Sequence, residues 1–265
     1  MIIAHISDTH LALDTSDARR RDFERTIADI EALDPAPDVI VHTGDVVHNG
    51  RPDEYAEAVR ILGKAKAPVY AMVGNKDERA PFRAAFTGGG YLDPASQFID
   101  YAVEDFPVRL VITDTKHAES NKGDFCAVRA RRLAGMIAAD GSKPVAVFTH
   151  HPPFMVPVGP DPLNFETPEA LERLRAALTH SPGVVGVFSG HVHRPAEGSV
   201  GHIPAIVVPC IATPLRKGPY PPAAKGNPLY FVHRFDGARF ETEVRIVGQG
   251  AIGGIDSIRQ DVANA

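Results

Sequence analysis

Five apolar, β-branched runs of strand length each end in polar residues of the kind that bind metal ions, and this pairing constrains the chain more than any other feature. Met1–Ile6 runs into Ser7-Asp8-Thr9-His10, Asp38–His42 into Thr43-Gly44-Asp45, and Pro68–Val73 into Gly74-Asn75-Lys76-Asp77. Pro144–Thr149 runs into His150-His151-Pro152-Pro153, and Val184–Ser189 into Gly190-His191-Val192-His193. A near-continuous apolar strand is buried on both faces, so helices must cover its sheet. Helical periodicity appears where that requires it. Ala18–Leu33 sets Phe23, Ile27, Ile30 and Leu33 on one face, and Glu54–Leu62 and Glu169–Leu178 follow the same spacing. With Arg109–Thr113 as a further strand, the alternation predicts an α/β layered fold.

After Gly201 the pattern changes. Ile203–Val208, Leu229–Phe235 and Arg239–Val247 read as strands joined by short turns, with Asp236-Gly237 as a hairpin signal, so an antiparallel portion is expected there. Pro214–Pro228 is dense in Pro and Gly and reads as a loop. Residues 1–247 are expected as a single domain. The stretch 248–265, Gly-rich and then polar, is expected as a tail, either disordered or an arm to a partner subunit.

The chain has 265 residues and a net charge of −5, too mild to attract a long polyanion. It has no tryptophan and no basic stretch interleaved with aromatics, which argues against long nucleic acid as partner. The triple Arg19–Arg21 reads as a solvated helix face. Cys126 and Cys210 stand in unrelated contexts, the opening MIIAHISDTH reads as a strand and not a signal peptide, and no run is long enough to span a bilayer. A soluble cytoplasmic protein, without membrane contact, is the expectation.

Open α/β sheets build their sites outside the carboxyl ends of the strands. Five polar strand ends can therefore converge on one edge. Carboxylates, imidazoles and a carboxamide, with no thiolate, suit Mn²⁺ or Fe²⁺, with Zn²⁺ as an alternative. Asp8 and His10, like His191 and His193, are two residues apart and share a side of an extended segment. Together with Asp45, Asn75 and His150 they make seven candidate ligands, too many for one tetrahedral ion and suited to two ions that share a carboxylate. Two ions roughly 3.5–4 Å apart can hold a hydroxide and clamp phosphoryl oxygens. His5, His42, His117, His180, His202 and His233 lack this context and read as structural.

The order Asp-x-His, Gly-Asp, Gly-Asn-x-Asp, His, Gly-His-x-His, spanning Asp8 to His193, resembles the signature of calcineurin-like metallophosphoesterases. The run from Gly44 to Tyr55 and the His150–Pro153 run resemble the branch with bacterial class III cyclic-nucleotide phosphodiesterases and glycerophosphodiesterases. The resemblance implies a four-layer α/β/β/α sandwich of two mixed sheets flanked by helices. It implies one ion on Asp8, His10, Asp45 and His193, and a second on Asp45, Asn75, His150 and His191. His150 is chosen over His151 because it comes first off its strand, leaving His151 behind the ligands or facing substrate.

Where the family usually has a histidine after Gly-Asn, this chain has Lys76. That histidine stabilises transition-state charge and helps protonate the leaving oxygen. An ammonium supplies the charge, but with an unperturbed pKa of roughly 10.4 it is a poor acid near neutrality. Lys76→His is therefore expected to raise turnover most on poor leaving groups, and an unchanged leaving-group dependence would refute this.

The reading that follows is hydrolysis of a small phosphodiester by metal-bound hydroxide, with Asp45, Asn75, Lys76 and His151 in catalytic roles. Phosphomonoester hydrolysis at the same site and a non-catalytic interaction module on the same scaffold are the alternatives. His48–Arg51, with Asn49 and Arg51 as candidates, Phe154–Phe165 and Pro214–Pro228 are the loops expected to meet substrate. The family's habit of forming dimers or larger assemblies makes a homo-oligomer a further expectation.

Overall fold

Alternate residues of a strand face opposite ways, and in this chain both directions meet apolar neighbours. The computed structural model describes residues 1–13, 18–139, 141, 143–157, 163–218 and 220–258. In chain order the elements are β1 (Ile2–Ile6), α1 (Ala18–Glu31), β2 (Val39–His42), α2 (Pro52–Leu62), β3 (Val69–Ala71), α3 (Arg79–Phe86), β4 (Tyr101–Val103), β5 (Arg109–Ile112) and α4 (Ala127–Ala138). They continue with β6 (Val145–Phe148), α5 (Pro168–Thr179), β7 (Val184–Ser189), β8 (Ala196–Val200), β9 (Ile203–Val207), β10 (Leu229–Phe235), β11 (Phe240–Ile246) and β12 (Gly250–Gly253).

Two six-stranded mixed sheets form, one ordered β12-β11-β10-β1-β2-β3 and the other β4-β5-β6-β7-β9-β8. The metal-type strand ends belong to their parallel portions, β1-β2-β3 and β5-β6-β7-β9, so the polar residues leave each sheet on the same edge. Leu110, Ile112, Ala146, Phe148 and Phe188 point between the sheets, while Val111, Val145, Val147 and Val187 point toward α4 and α5. Phe148 stacks on Phe188 at 5.1 Å, and His5 of the opposite sheet meets both rings edge-on. Each buried side chain of this size contributes about 2 kcal/mol. With α1 and α2 on the far side of the first sheet, the layers run α/β/β/α.

The helices begin where local chemistry stops the preceding loop. Thr167 caps α5 by accepting the Ala170 N–H, with Pro168 at the first helical position. Glu54 reaches back to the Asn49 and Arg51 N–H groups at the start of α2. Arg20 pairs with Glu57 on α2, which accounts for one member of the arginine triplet.

The portion after Gly201 differs from expectation. It is not one antiparallel block: β9 lies parallel to β7 in the second sheet, while β10, β11 and β12 extend the first. The hairpin at Asp236-Gly237 is present, its turn held by Asp236 Oδ1 accepting from Ala238 and Arg239. Beyond Val247, where a tail was expected, Gly250–Gly253 pair with β11, and Ile255 and Ile258 are buried. Three glycines among Gly248–Gly253 hide that strand from periodicity. Residues 259–265 of the expected tail lie outside the described residues. No helix among the described residues is long and apolar enough to cross a membrane.

Candidate metal centre

Where the strands stop, the backbone turns into the left-handed region. Asp8, His10, Asp45, His191 and His193 have φ of 54°, 43°, 51°, 73° and 57°, and among the described residues no other non-glycine has positive φ. Such a conformation costs roughly 1–2 kcal/mol per residue and persists only where the surroundings enforce it. Here Asp8 N–H donates to Gly44 O at 3.0 Å and His10 N–H to Asp45 O at 2.9 Å. The strain swings the side chains of different strand ends toward one place. Gly190 has no room for a Cβ, which would fall on the Ser7 hydroxyl and 2.6 Å from Asp8 Oδ2.

Two groups of donor atoms result. Asp8, His10, Asp45 and His193 bring one atom each to within 4.8 Å of one another. His10 Nε2 and His193 Nε2 face each other at 3.0 Å, and Asp8 Oδ1 lies 3.3 Å from His193 Nε2. His193 Nδ1–H donates to the Leu215 carbonyl at 2.7 Å, which leaves Nε2 as the ring nitrogen facing inward. Asp8 Oδ1 is buried with no hydrogen-bond partner, while Oδ2 accepts the His191 N–H at 2.9 Å.

The second group holds His150, His191 and Asn75. His150 Nδ1–H donates to Thr43 O at 2.8 Å, so Nε2 is a lone pair, yet it sits 3.0 Å from the oxygen of Asn75. His191 Nδ1 lies 2.9 Å from the same oxygen. At His150 an acceptor thus faces an acceptor, an arrangement that a cation resolves. Asp45 spans both groups, with Oδ2 at 3.4 Å from His10 Nε2 and Oδ1 at 3.6 Å from His150 Nε2. The donor set fits two divalent ions sharing one carboxylate.

The electrostatics agree. Burial lowers His10, His150 and His191, keeping each imidazole in the neutral form that ligates metal. Burial and then the charge of Asp8 push Asp45 up to about 7. Burial would lower His193, but the neighbouring Cys210 and Asp8 overcome it and raise it to about 11. Without cations, a proton on His193 is the nearest substitute for one.

His151 is placed differently. Its Nε2 faces the Asn121 carbonyl at 3.1 Å, which can only accept, and its Nδ1 faces the Thr115 hydroxyl at 2.8 Å. Neither ring nitrogen has a lone pair left for an ion. Lys76 gives its backbone N–H to Asp45 Oδ1 at 2.7 Å and its ammonium to Asn121 Oδ1 at 3.1 Å. Asp77 turns away from that ammonium: it accepts from Gly74, Val46 and Val47 N–H and from the Tyr55 hydroxyl, tying two metal-bearing loops together. Asn49 spends its carboxamide on Glu54, and Arg51 pairs with Asp53 on the surface. His5, His42 and His233 are buried and hydrogen-bonded away from the donor groups. Residues 158–162 of the Phe154–Phe165 loop and residue 219 of Pro214–Pro228 lie outside the described residues.

Thr115, Lys116 and Asn121 went unread in the sequence. They follow β5, whose run also ends in polar residues, Thr113-Asp114-Thr115-Lys116, so the rule that found the other ends could have found this one. Lys116 is buried and donates to the Asn75 carbonyl at 3.0 Å. Arg79 grips Asp114 with two hydrogen bonds of 2.6 and 2.8 Å, anchoring the loop. Behind His193, the Tyr220 hydroxyl donates to its carbonyl at 2.9 Å.

Comparison with known proteins agrees with this geometry. The family model for calcineurin-like phosphoesterases matches residues 1–195. The chain is 32% identical to the glycerophosphodiester phosphodiesterase GpdQ of Enterobacter lignolyticus, over 73% of this chain and 71% of that one. It is 26% identical to the 3',5'-cyclic adenosine monophosphate phosphodiesterase CpdA of Pseudomonas aeruginosa, over 79% and 75%. In fold it is similar to a dimetal phosphatase from Danio rerio, with a TM-score of 0.63 at 14% identity over 95% of this chain and 96% of that one. A purple acid phosphatase from yellow lupin gives 0.67 at 14% identity, over 98% and 55%. The chain belongs to the calcineurin-like phosphoesterase family.

Proposed function

We propose that this protein is a two-metal phosphodiesterase acting on small diesters, with Asp8, His10, Asp45 and His193 holding one ion and Asp45, Asn75, His150 and His191 the other. The observation that carries the reading is the single carboxylate of Asp45 standing between His10 of one donor group and His150 of the other. Bound there, divalent ions supply Lewis-acid activation of water and of phosphoryl oxygens. Oxygen and nitrogen donors without thiolate suit Mn²⁺ or Fe²⁺ first and Zn²⁺ next.

The chain's own groups do the rest. Lys76 sets a fixed positive charge beside the second ion position, where charge develops on the phosphoryl group. His151 packs its ring against His150 and His191 and, with both ring nitrogens engaged by Thr115 and Asn121, holds the Asn121 loop in place. Relatives that act on glycerophosphodiesters and on cyclic adenosine monophosphate support a small diester as substrate. The net charge of −5 argues against a long polyanion. Two unpaired cysteines are consistent with a reducing, cytoplasmic setting.

Metal analysis and hydrolysis of bis(p-nitrophenyl) phosphate test this together. About two ions per chain are expected, with activity lost on chelation, restored by Mn²⁺, and greater on the diester than on p-nitrophenyl phosphate. Protein that binds no metal and cleaves neither ester would overturn the proposal; a preference for the monoester would overturn the substrate class alone.

A further inference from the structure

The side-chain oxygen of Asn121 receives two donors, Asn75 Nδ2 at 3.2 Å and Lys76 Nζ at 3.1 Å. An ammonium carries three N–H donors and no acceptor. The atom of Asn121 that faces it must therefore be oxygen, which removes the two-fold ambiguity of a carboxamide. Against that oxygen Asn75 can present only its NH₂. Its own oxygen is then turned the opposite way, to 3.0 Å from His150 Nε2 and 2.9 Å from His191 Nδ1. The charge at position 76 thus sets the polarity of the side chain at position 75, although the two side chains do not bond each other.

The relay is braced from behind. The Asn121 carbonyl accepts His151 Nε2–H, and the Lys116 ammonium, another group that can only donate, fixes the Asn75 carbonyl at 3.0 Å. A neutral imidazole in place of Lys76 would offer either a donor or an acceptor and would force neither amide.

We infer that Lys76 is a positioning residue for the second metal ion, acting through Asn121 to turn the Asn75 oxygen toward that ion. The inference rests on the two-ion reading above. Lys76 acts here as a pure donor, a property that a general acid need not have.

Calorimetric titration of metal-stripped protein with Mn²⁺ alone tests it. Partners behind a metal ligand typically contribute 10–100-fold to affinity. Lys76→Met and Asn121→Ala are each expected to weaken the second Mn²⁺ by about 10–100-fold and leave the first unchanged. Lys76→Arg, again only a donor, and Asn121→Asp, whose carboxylate accepts both bonds, are expected to keep the second ion. The relay is overturned if Lys76→Met and Asn121→Ala titrate like wild type, or if both ions weaken in step. If wild type takes up a single Mn²⁺, the two-ion reading falls and the relay with it; if wild type takes up two and the variants match it, the relay alone falls.

Discussion

Asp45→Asn is expected to remove both ions together and to lower kcat/KM on the diester by more than about a thousandfold, or roughly 4 kcal/mol of transition-state stabilisation. Its carboxylate reaches both donor groups, with one oxygen 3.4 Å from His10 Nε2 and the other 3.6 Å from His150 Nε2. A carboxamide has the same shape but one oxygen, no charge, and an NH₂ directed at one of the two cations. The fold should survive, because the substitution is isosteric and the Lys76 N–H can still meet an oxygen. Indeed the metal-free variant is expected to melt higher than metal-free wild type. Two buried carboxylates, Asp8 and Asp45, stand within 4.8 Å of each other in a site built for cations, and neutralising one relieves the repulsion. Metal content, diester turnover and the melting temperature of chelated protein decide the matter. A variant that still holds two ions tightly would remove Asp45 from its bridging role.

The convergence of these residues was legible in the sequence because candidate metal ligands contrast sharply with what precedes them. Asp8, Asp45, Asn75, His150 and His191 each interrupt an apolar strand, and a parallel sheet sends all such interruptions to one edge. The sandwich itself came less from periodicity than from the family resemblance. Periodicity found β1, β2, β3, β5, β6, β7, β9, β10 and β11, whose buried residues are mostly Val, Ile, Leu, Phe and Ala. It missed β8, an edge strand reading Ala-Glu-Gly-Ser-Val with only Val200 buried, and β4, whose apolar run is cut to Tyr-Ala-Val by Asp100 and Glu104 where that of β3 continues into Met72-Val73. It missed α4, where Arg129 is buried among the apolar positions and Gly135 weakens the pattern. Asn121 escaped because its importance lies in two bonds made across the fold, and an exposed Asn in a loop carries no local mark of them.

The turns are as necessary as the ligands, and Gly74→Ala tests that. A Cβ at Gly74 would fall on the Asp45 backbone nitrogen and Oδ1 and 2.7 Å from His150 Cε1. The first of these is main chain, fixed by its place between β2 and α2, so the methyl cannot be accommodated by a side-chain rotation. Overpacking of this kind costs about 3 kcal/mol, or roughly 5–10 °C in melting temperature for a chain of this size. The displaced parts are the bridging carboxylate and a second-ion ligand, so the second ion should be lost at the same time. Gly135→Ala is the matched control. Gly135 lies exposed within α4 with nothing within 4 Å of its added Cβ. A methyl there should stabilise by about 0.5–1 kcal/mol through helix propensity, with metal content unchanged. Opposite signs for the same chemical change would show that the site's backbone is pressed together at Gly74 to the limit of contact. A Gly74→Ala protein that melts like wild type and keeps two ions would mean that the loops after β2 and β3 have slack, and that the strained left-handed turns, not close packing, hold the ligands in place.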